Sequence, residues 1–144
     1  MVCYFDGFGI GSDEEQRTLL SKIGGWMEPN GEALVDVLVP WYWAKLAGED
    51  TPARQWRHGG ATGRWDFDAD QSRMVGVMWN DGVLGDECAQ SMRCYAPADL
   101  RLLLDGLHLH LASYRPFNNE RYEKSTTLHE AMLYLAYLRR KRAD

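Results

Sequence analysis

The feature that most constrains the fold of this chain is its opening run, VCYFDGFGIGSDEEQ. A short apolar stretch, Val2 to Phe5, enters Asp6-Gly7-Phe8-Gly9-Ile10-Gly11 and then an acidic segment with helical character. Ser12 followed by Glu15 makes a capping box: the hydroxyl accepts from a free helix amide and the carboxylate reaches back. Leu19, Leu20, Ile23, Trp26 and Met27 then share one helical face. Pro29-Asn30-Gly31 ends that helix and turns the chain. Ala33 to Val39 is a β-prone run broken only by Asp36, the pattern of a strand covered on both faces. Strand, helix, strand with a crossover of this length predicts parallel pairing.

Beyond Pro40 the pattern changes. Arg64 to Asp68 and Met74 to Trp79 read as strands joined by a turn around Asp70-Gln71, and Gln90 to Tyr95 as a third. Short links between them predict antiparallel pairing. Ala47 to Gly63, with its Gly and Pro residues, reads as an internal loop. Pro97 opens a helix carrying Leu100, Leu103 and Leu104 that ends at Gly106. Leu107, Leu109 and Leu111 alternate with polar or small residues, as in a strand. Ala131 to Arg139 fits either state, and we read it as a strand.

At 144 residues the chain suits one domain. A net charge of −5, with the acids dispersed, offers nothing to a phosphate backbone. Arg139-Arg140-Lys141-Arg142 reads as a solvated end rather than a nucleic-acid arm. Cys3, Cys88 and Cys94 are odd in number and lack metal-ligand spacing, which suggests reduced thiols in a cytoplasmic protein. No apolar stretch approaches the roughly 20 residues that span a bilayer, and the start lacks signal-peptide character.

The glycines admit two readings. Glycine is the usual residue where a strand turns tightly into a helix, with or without a ligand. A nucleotide-binding reading also wants an acidic residue about 20 positions on, and Asp36, at the end of the second strand-like run, is the candidate for that role. Antiparallel hairpins then follow where further parallel units belong, which argues against it.

The residues VCYFDGFGIGSDEEQRTLLSKIGGWMEPNGEALVDV resemble the fourth strand, following helix and fifth strand of class I S-adenosylmethionine-dependent methyltransferases of the small-molecule type. Met27-Glu28-Pro29-Asn30-Gly31 is similar to the family's closing L-x-P-G-G turn, with Asn30 in place of its first glycine. QSMRCYAPADLRLLLDGLHLHLASY resembles a later segment, R-x-Y-S-x-x-E-L-x-x-L-L-x-x-A-G-L, with Ala96 and Asp99 as departures. AMLYLAYLRRK resembles the terminal antiparallel strand.

The resemblance implies an α/β fold comprising the second half of a Rossmann-like methyltransferase sheet, strands 4, 5, 7 and 6, with an inserted antiparallel β segment. Within one domain, residues 1–46 are then strand-helix-strand, 60–95 the substrate-covering insert, and 96–144 a helix and the last two strands. Gly7, Gly9 and Gly11 become a substrate-side loop. The family's own glycine-rich cofactor motif and acidic ribose anchor have no counterpart in this sequence. A cut before the fourth strand falls at the switch point where open α/β sheets bind ligands. It leaves Val2 to Phe5 as an exposed apolar edge, which proteins normally avoid. The implied function is one subunit of a heteromeric, split methyltransferase. Its S-adenosylmethionine is shared with a separate chain carrying the first half of the fold, across an interface of roughly 2,000 Å² or more. Two alternatives stay open: a non-catalytic stabilising or substrate-binding subunit, and a stand-alone enzyme using the Gly7–Gly11 loop for a nucleotide.

Methyl transfer is an in-line displacement in which the protein positions groups, excludes water and sometimes removes a proton. The resemblance places Tyr4, Phe5, Asp6 and Phe8 beside the transferred methyl group. Phe5, Asp6 and Gly7 would also touch the cofactor. Asp6 can orient or deprotonate an acceptor, or serve as a turn residue bonding nearby amides. Trp41, Tyr42 and Trp43 can wall an aromatic substrate pocket or anchor a loop into the core. Arg93, alternating with Tyr95, can hold an anionic group or form a structural ion pair. His58 can act as a general base on a lid. His108 and His110 share a strand face but lack a third ligand, so no metal is expected.

Overall fold

The computed structural model describes residues 1–5, 7–47, 50–52, 61–80, 87–117 and 127–141. The first sheet begins as the opening run dictates. β1 (Val2–Tyr4) leads into α1 (Asp13–Trp26) and then β2 (Glu32–Leu38), and β1 and β2 pair parallel with Val2 opposite Ala33. Ser12 caps α1: its hydroxyl accepts from the Glu15 amide at 3.2 Å, and the Glu15 carboxylate accepts from the Ser12 amide at 2.7 Å. The Ser12 amide and, second, the Ser12 hydroxyl, which donates to Glu15 Oε2 at 3.0 Å, lower the pKa of the Glu15 carboxyl from its ordinary value.

After β2, Pro40 presets the first turn of a short helix, α2 (Pro40–Lys45), so Trp41, Tyr42 and Trp43 are helical. The antiparallel segment follows as β3 (Asp50–Pro52), β4 (Ala61–Asp68), β5 (Arg73–Asn80) and β6 (Glu87–Arg93), neighbours in that order in a second four-stranded sheet. β3 corrects the reading of Ala47 to Gly63 as loop throughout, because Thr51 pairs with Gly63. The chain then forms α3 (Pro97–Leu103), β7 (Leu109–Phe117) and β8 (Leu133–Arg140). Asp99 reaches back to the Ala96 amide at 3.0 Å, and Gly106 turns out of α3 with φ +72°. The ambiguous last element is a strand. β8 inserts antiparallel between β2 and β7, so the first sheet runs β1-β2-β8-β7.

Helices α1 and α3 cover one face of this sheet. Leu20 and Ile23 of α1 and Leu100 of α3 are fully buried against Ala33, Val35, Tyr134 and Leu138. At the sheet end where β2 stops, α2 and the second sheet enclose a further apolar cluster that includes Leu38, Trp43, Trp65 and Met74.

Two expectations change. β2 is covered fully on one face only: Ala33, Val35 and Val37 are buried under the helices, while Leu34 and Asp36 opposite are half-buried. Trp26 shares the helical period of Ile23 and Met27, but it is 63% exposed. It sits on the flank of the apolar stripe rather than its centre.

Removing the Ser12 hydroxyl frees one amide of α1, so Ser12→Ala should cost about 1 kcal/mol in urea unfolding. Because the Glu15 carboxyl is depressed in the folded state, its contribution is present at neutral pH and lost as pH falls through the carboxylate range. The stability gap between wild type and Ser12→Ala should therefore narrow in acid.

Candidate functional site

Three stretches meet where β1 and β2 end. The loop after β1 meets the end of β6 through a bond from the Arg93 amide to the Gly9 carbonyl at 2.7 Å. Two residues on, the Tyr95 amide donates to the Leu38 carbonyl at 3.0 Å, so the segment leaving β6 bridges the ends of both parallel strands. Phe8 packs on Tyr95 with ring centroids 5.5 Å apart. The sequence-predicted residues of the β1 loop and of the Arg93–Tyr95 pair are therefore neighbours.

The glycine loop is held from three directions. Gly9 has φ +102°, and a Cβ there would lie 2.4 Å from the Arg93 carbonyl oxygen, so only glycine fits. Its amide donates to Oε1 of Gln16, a polar side chain only 4% exposed. On the other side Arg73 of β5 supplies a guanidinium. Nη2 donates to the carbonyls of Gly9 (3.1 Å) and Ile10 (3.0 Å), and Nη1 to that of Gly11 (3.2 Å). Its Nε donates to the Ser91 hydroxyl at 2.9 Å. Arg73 and Gln16 are the residues that sequence reasoning missed. Gln16 had a readable signal, since it lies four and seven positions before Leu20 and Ile23 on the buried stripe. Arg73 had none, because its partners are backbone carbonyls more than 60 residues away.

This geometry bears on cofactor binding. An anion cradle needs free backbone amides. Here the Gly9, Ile10 and Ser12 amides bond to Gln16, Gly7 and Glu15, and the loop carbonyls face Arg73. The residues of this loop do not by themselves form a nucleotide site.

Arg93 and Tyr95 converge on Asp13 at the start of α1. Arg93 Nε donates to Asp13 Oδ1 at 3.0 Å, and the Tyr95 hydroxyl donates to the same oxygen at 2.8 Å. The Arg93 guanidinium also lies 4.8 Å over the Tyr95 ring. Burial, and then the bond to Asp13, push the Tyr95 hydroxyl far above the ordinary phenol range, so it remains a proton donor. Arg93 is thus in an ion pair. With Asp13, Arg17 and Asp99, the two residues line a cleft of about 290 Å³ between α1 and α3.

The aromatic trio is divided. Trp41 is half-buried and its indole N–H donates to the Leu128 carbonyl at 3.1 Å. Tyr42 packs edge-on against Trp43. Trp43 is 7% exposed, stacks edge-on with Trp65 at 5.5 Å, and has a buried indole N–H with no partner among the described residues. Tyr4 is half-buried, Phe5 is 42% exposed and Phe8 is in the core. Asp6 and His58, the two expected catalytic groups, lie outside the described residues, whereas Gly7 is described and its Cα faces the Tyr4 hydroxyl. Among the described residues no group of three His, Cys, Asp or Glu side chains could hold a metal ion. No helix among them is long and apolar enough to cross a membrane. A larger cleft, about 520 Å³, lies at the opposite end of the sheet, lined by Pro29–Gly31, His110 and Arg139–Lys141.

The Arg73 fork joins the second sheet to the glycine loop, so Arg73→Met should destabilise the protein by about 2 kcal/mol in urea titration. Arg73→Lys should recover little, because an ammonium cannot span three carbonyls. Wild-type stability in Arg73→Met would show that the fork carries no weight.

No protein-family model matches the chain, and no curated protein matches it in sequence. Solved structures do match in fold. The CcbJ methyltransferase from Streptomyces caelestis superposes with a TM-score of 0.65 at 17% identity, covering 98% of this chain and 57% of that one. A S-adenosylmethionine-dependent methyltransferase from Clostridium acetobutylicum ATCC 824 gives a TM-score of 0.59 at 10% identity, over 89% of this chain and 52% of that one. The chain therefore spans little more than half the length of either structure. Its fold, an α/β sheet with a separate antiparallel sheet, is one it shares with S-adenosylmethionine-dependent methyltransferases.

Proposed function

We propose that this chain is one subunit of a heteromeric S-adenosylmethionine-dependent small-molecule methyltransferase and supplies mainly the substrate side of its active site. The observation that carries this reading is the position of β1. Among the described residues it is an edge of the first sheet, with β2 on one side, and in the loop that follows it the Gly9, Ile10 and Ser12 amides and the Gly9, Ile10 and Gly11 carbonyls are engaged. In an open α/β sheet ligands bind at the carboxyl ends of the strands, where the order switches. A partner strand beside β1 would create such a crevice, with the cofactor held chiefly by the partner. The likeness in fold to two methyltransferases supports the methyltransferase part of this reading.

In it the sheet is the second half of the Rossmann-like fold, strands 4, 5, 7 and 6. Tyr4, Phe5 and Gly7 border the shared crevice, with Phe5 and Gly7 toward the cofactor. Asp6 and His58 keep the proton-handling roles that the resemblance implies. Trp41 and Tyr42 wall the acceptor side. Phe8, Trp43, Arg93 and Tyr95, whose side chains are committed to packing or to Asp13, shape that side from behind. That commitment also favours a second reading, in which the subunit binds substrate or stabilises its partner without taking part in the chemistry.

Calorimetric titration separates these readings from a self-sufficient enzyme. The isolated chain should bind S-adenosylmethionine weakly or not at all, and the assembled pair should bind it at least about a hundredfold more tightly. Tight binding by the isolated chain would instead favour the self-sufficient enzyme.

A further inference from the structure

The cleft at the end of the first sheet away from the candidate site is lined mostly by basic residues. Gly31 leads into β2, His110 stands near the start of β7, and Arg139 and Arg140 close β8, so all four meet at that end. In a chain with a net charge of −5, such a gathering of cations is a local feature. Strand alternation sends the two arginines to opposite faces. Arg139 stands across from Glu32 of β2 and His110 of β7, on the face away from the helices. Arg140 stands across from Leu109, on the face under α1. Both guanidiniums are pinned by the same edge. Arg139 donates to Glu32 Oε1 from Nε, at 2.7 Å, and from Nη2. Arg140 donates to the Gly24 carbonyl, in the last turn of α1, from Nε at 3.1 Å and Nη2 at 2.8 Å. Among the described residues, Nη1 of each arginine has no hydrogen-bond partner, and neither has the Lys141 ammonium. The Lys141 amide is fixed on the His108 carbonyl at 2.8 Å. These residues are therefore not the freely solvated end that the sequence suggests.

We propose that this cleft binds a small anion carrying a diphosphate group. A guanidinium held through Nε and Nη2 keeps its remaining donors in a fixed direction, so little freedom is left to lose when a ligand arrives. Donation from such a group to a phosphate oxygen is among the stronger hydrogen bonds available to a protein. Glu32 offsets one of the three cationic charges, which leaves an excess that a neutral ligand would not balance. The two arginines approach from opposite faces of β8, with Lys141 next in the chain and His110 across from Arg139. Donors spread in this way suit two linked anionic groups better than one. The cleft, about 520 Å³, falls within the roughly 300–1,000 Å³ of small-molecule sites, so an organic group can accompany the diphosphate. Apart from Pro29 its lining offers no apolar or aromatic side chain, so recognition rests on the phosphates rather than on stacking of a base. The site lies at the opposite end of the sheet from the ends of β1 and β2, and it stands or falls independently of the two-chain reading.

Pyrophosphate is the probe, titrated by calorimetry into the full chain at low ionic strength, with inorganic phosphate and sulfate as controls. It should bind with a Kd on the order of micromolar, at least about tenfold more tightly than either control. Arg139→Gln should weaken binding at least about tenfold and Lys141→Gln about threefold or more, while Arg139→Lys should recover little of the loss. Arg101→Gln removes an exposed cation that does not line the cleft, and it should change binding less than about twofold. An exposed ion pair contributes little to folding, so all four variants should keep the wild-type circular dichroism and melting temperature. Amide resonances of the wild-type chain give a readout that needs no variant: shifts on adding pyrophosphate should centre on Asn30, Gly31, His110 and Lys141. Absence of both heat and shifts at millimolar pyrophosphate would overturn the site, as would equal losses in Arg139→Gln and Arg101→Gln. Phosphate and sulfate binding as tightly as pyrophosphate would reduce it to an adventitious ion only. A single-stranded oligonucleotide binding more tightly than pyrophosphate would overturn the small-ligand occupant.

Discussion

A strand has hydrogen-bonding groups along two sides, and among the described residues β1 has a neighbouring strand on one of them. The arrangement around the candidate site depends on that constraint. Burial falls off toward β1: Val35 and Val37 of β2 are 1% exposed, whereas Val2 and Tyr4 are half-buried, Phe5 is 42% exposed and Trp26 63%. The apolar character of these residues does not fall off with it. Apolar side chains are thus left partly exposed beside the edge strand of the first sheet.

The loop after β1 answers a second constraint. A strand that turns sharply into a helix presents several carbonyls in one direction, and buried carbonyls need donors. Arg73 supplies them as a single fork, and Gln16 takes the one inward-facing amide of Gly9. The second sheet is thereby tied to the first at the place where substrate chemistry is proposed. Asp13 makes a parallel tie, receiving Arg93 and the Tyr95 hydroxyl at the end of β6. An inserted sheet anchored through two arginines to the loop and helix start can set the shape of that end without contributing a reactive group.

Local signals carried much of the fold into view. Ser12 and Glu15 mark the helix start, Pro29-Asn30-Gly31 its end, and the alternation through Leu133–Arg140 resolves to a strand once β2 and β7 flank it. What stayed hidden depends on distant partners. The helical period of Trp26 matches that of its buried neighbours, and only the position of β7 shows that it faces the wrong flank for cover. Trp43 reads as readily for a pocket wall as for core, and the packing of Trp65 onto it, 22 residues later, decides for the core. Arg73 reads as a surface strand residue until the glycine loop lies beside it. The glycines themselves fit either cofactor loop or structural turn until their amides and carbonyls are followed to their partners.

The most direct measurement of the central claim, that the open side of β1 is completed by another polypeptide, is amide hydrogen exchange across Val2–Phe5. In the isolated chain the β1 amides that point away from β2 should exchange rapidly, while the helix from Asp13 and the strands around β8 remain protected. In the assembled, active complex the same β1 amides should become protected to the level of β2. Strong protection in the isolated chain, or continued fast exchange in an active complex, would contradict the account.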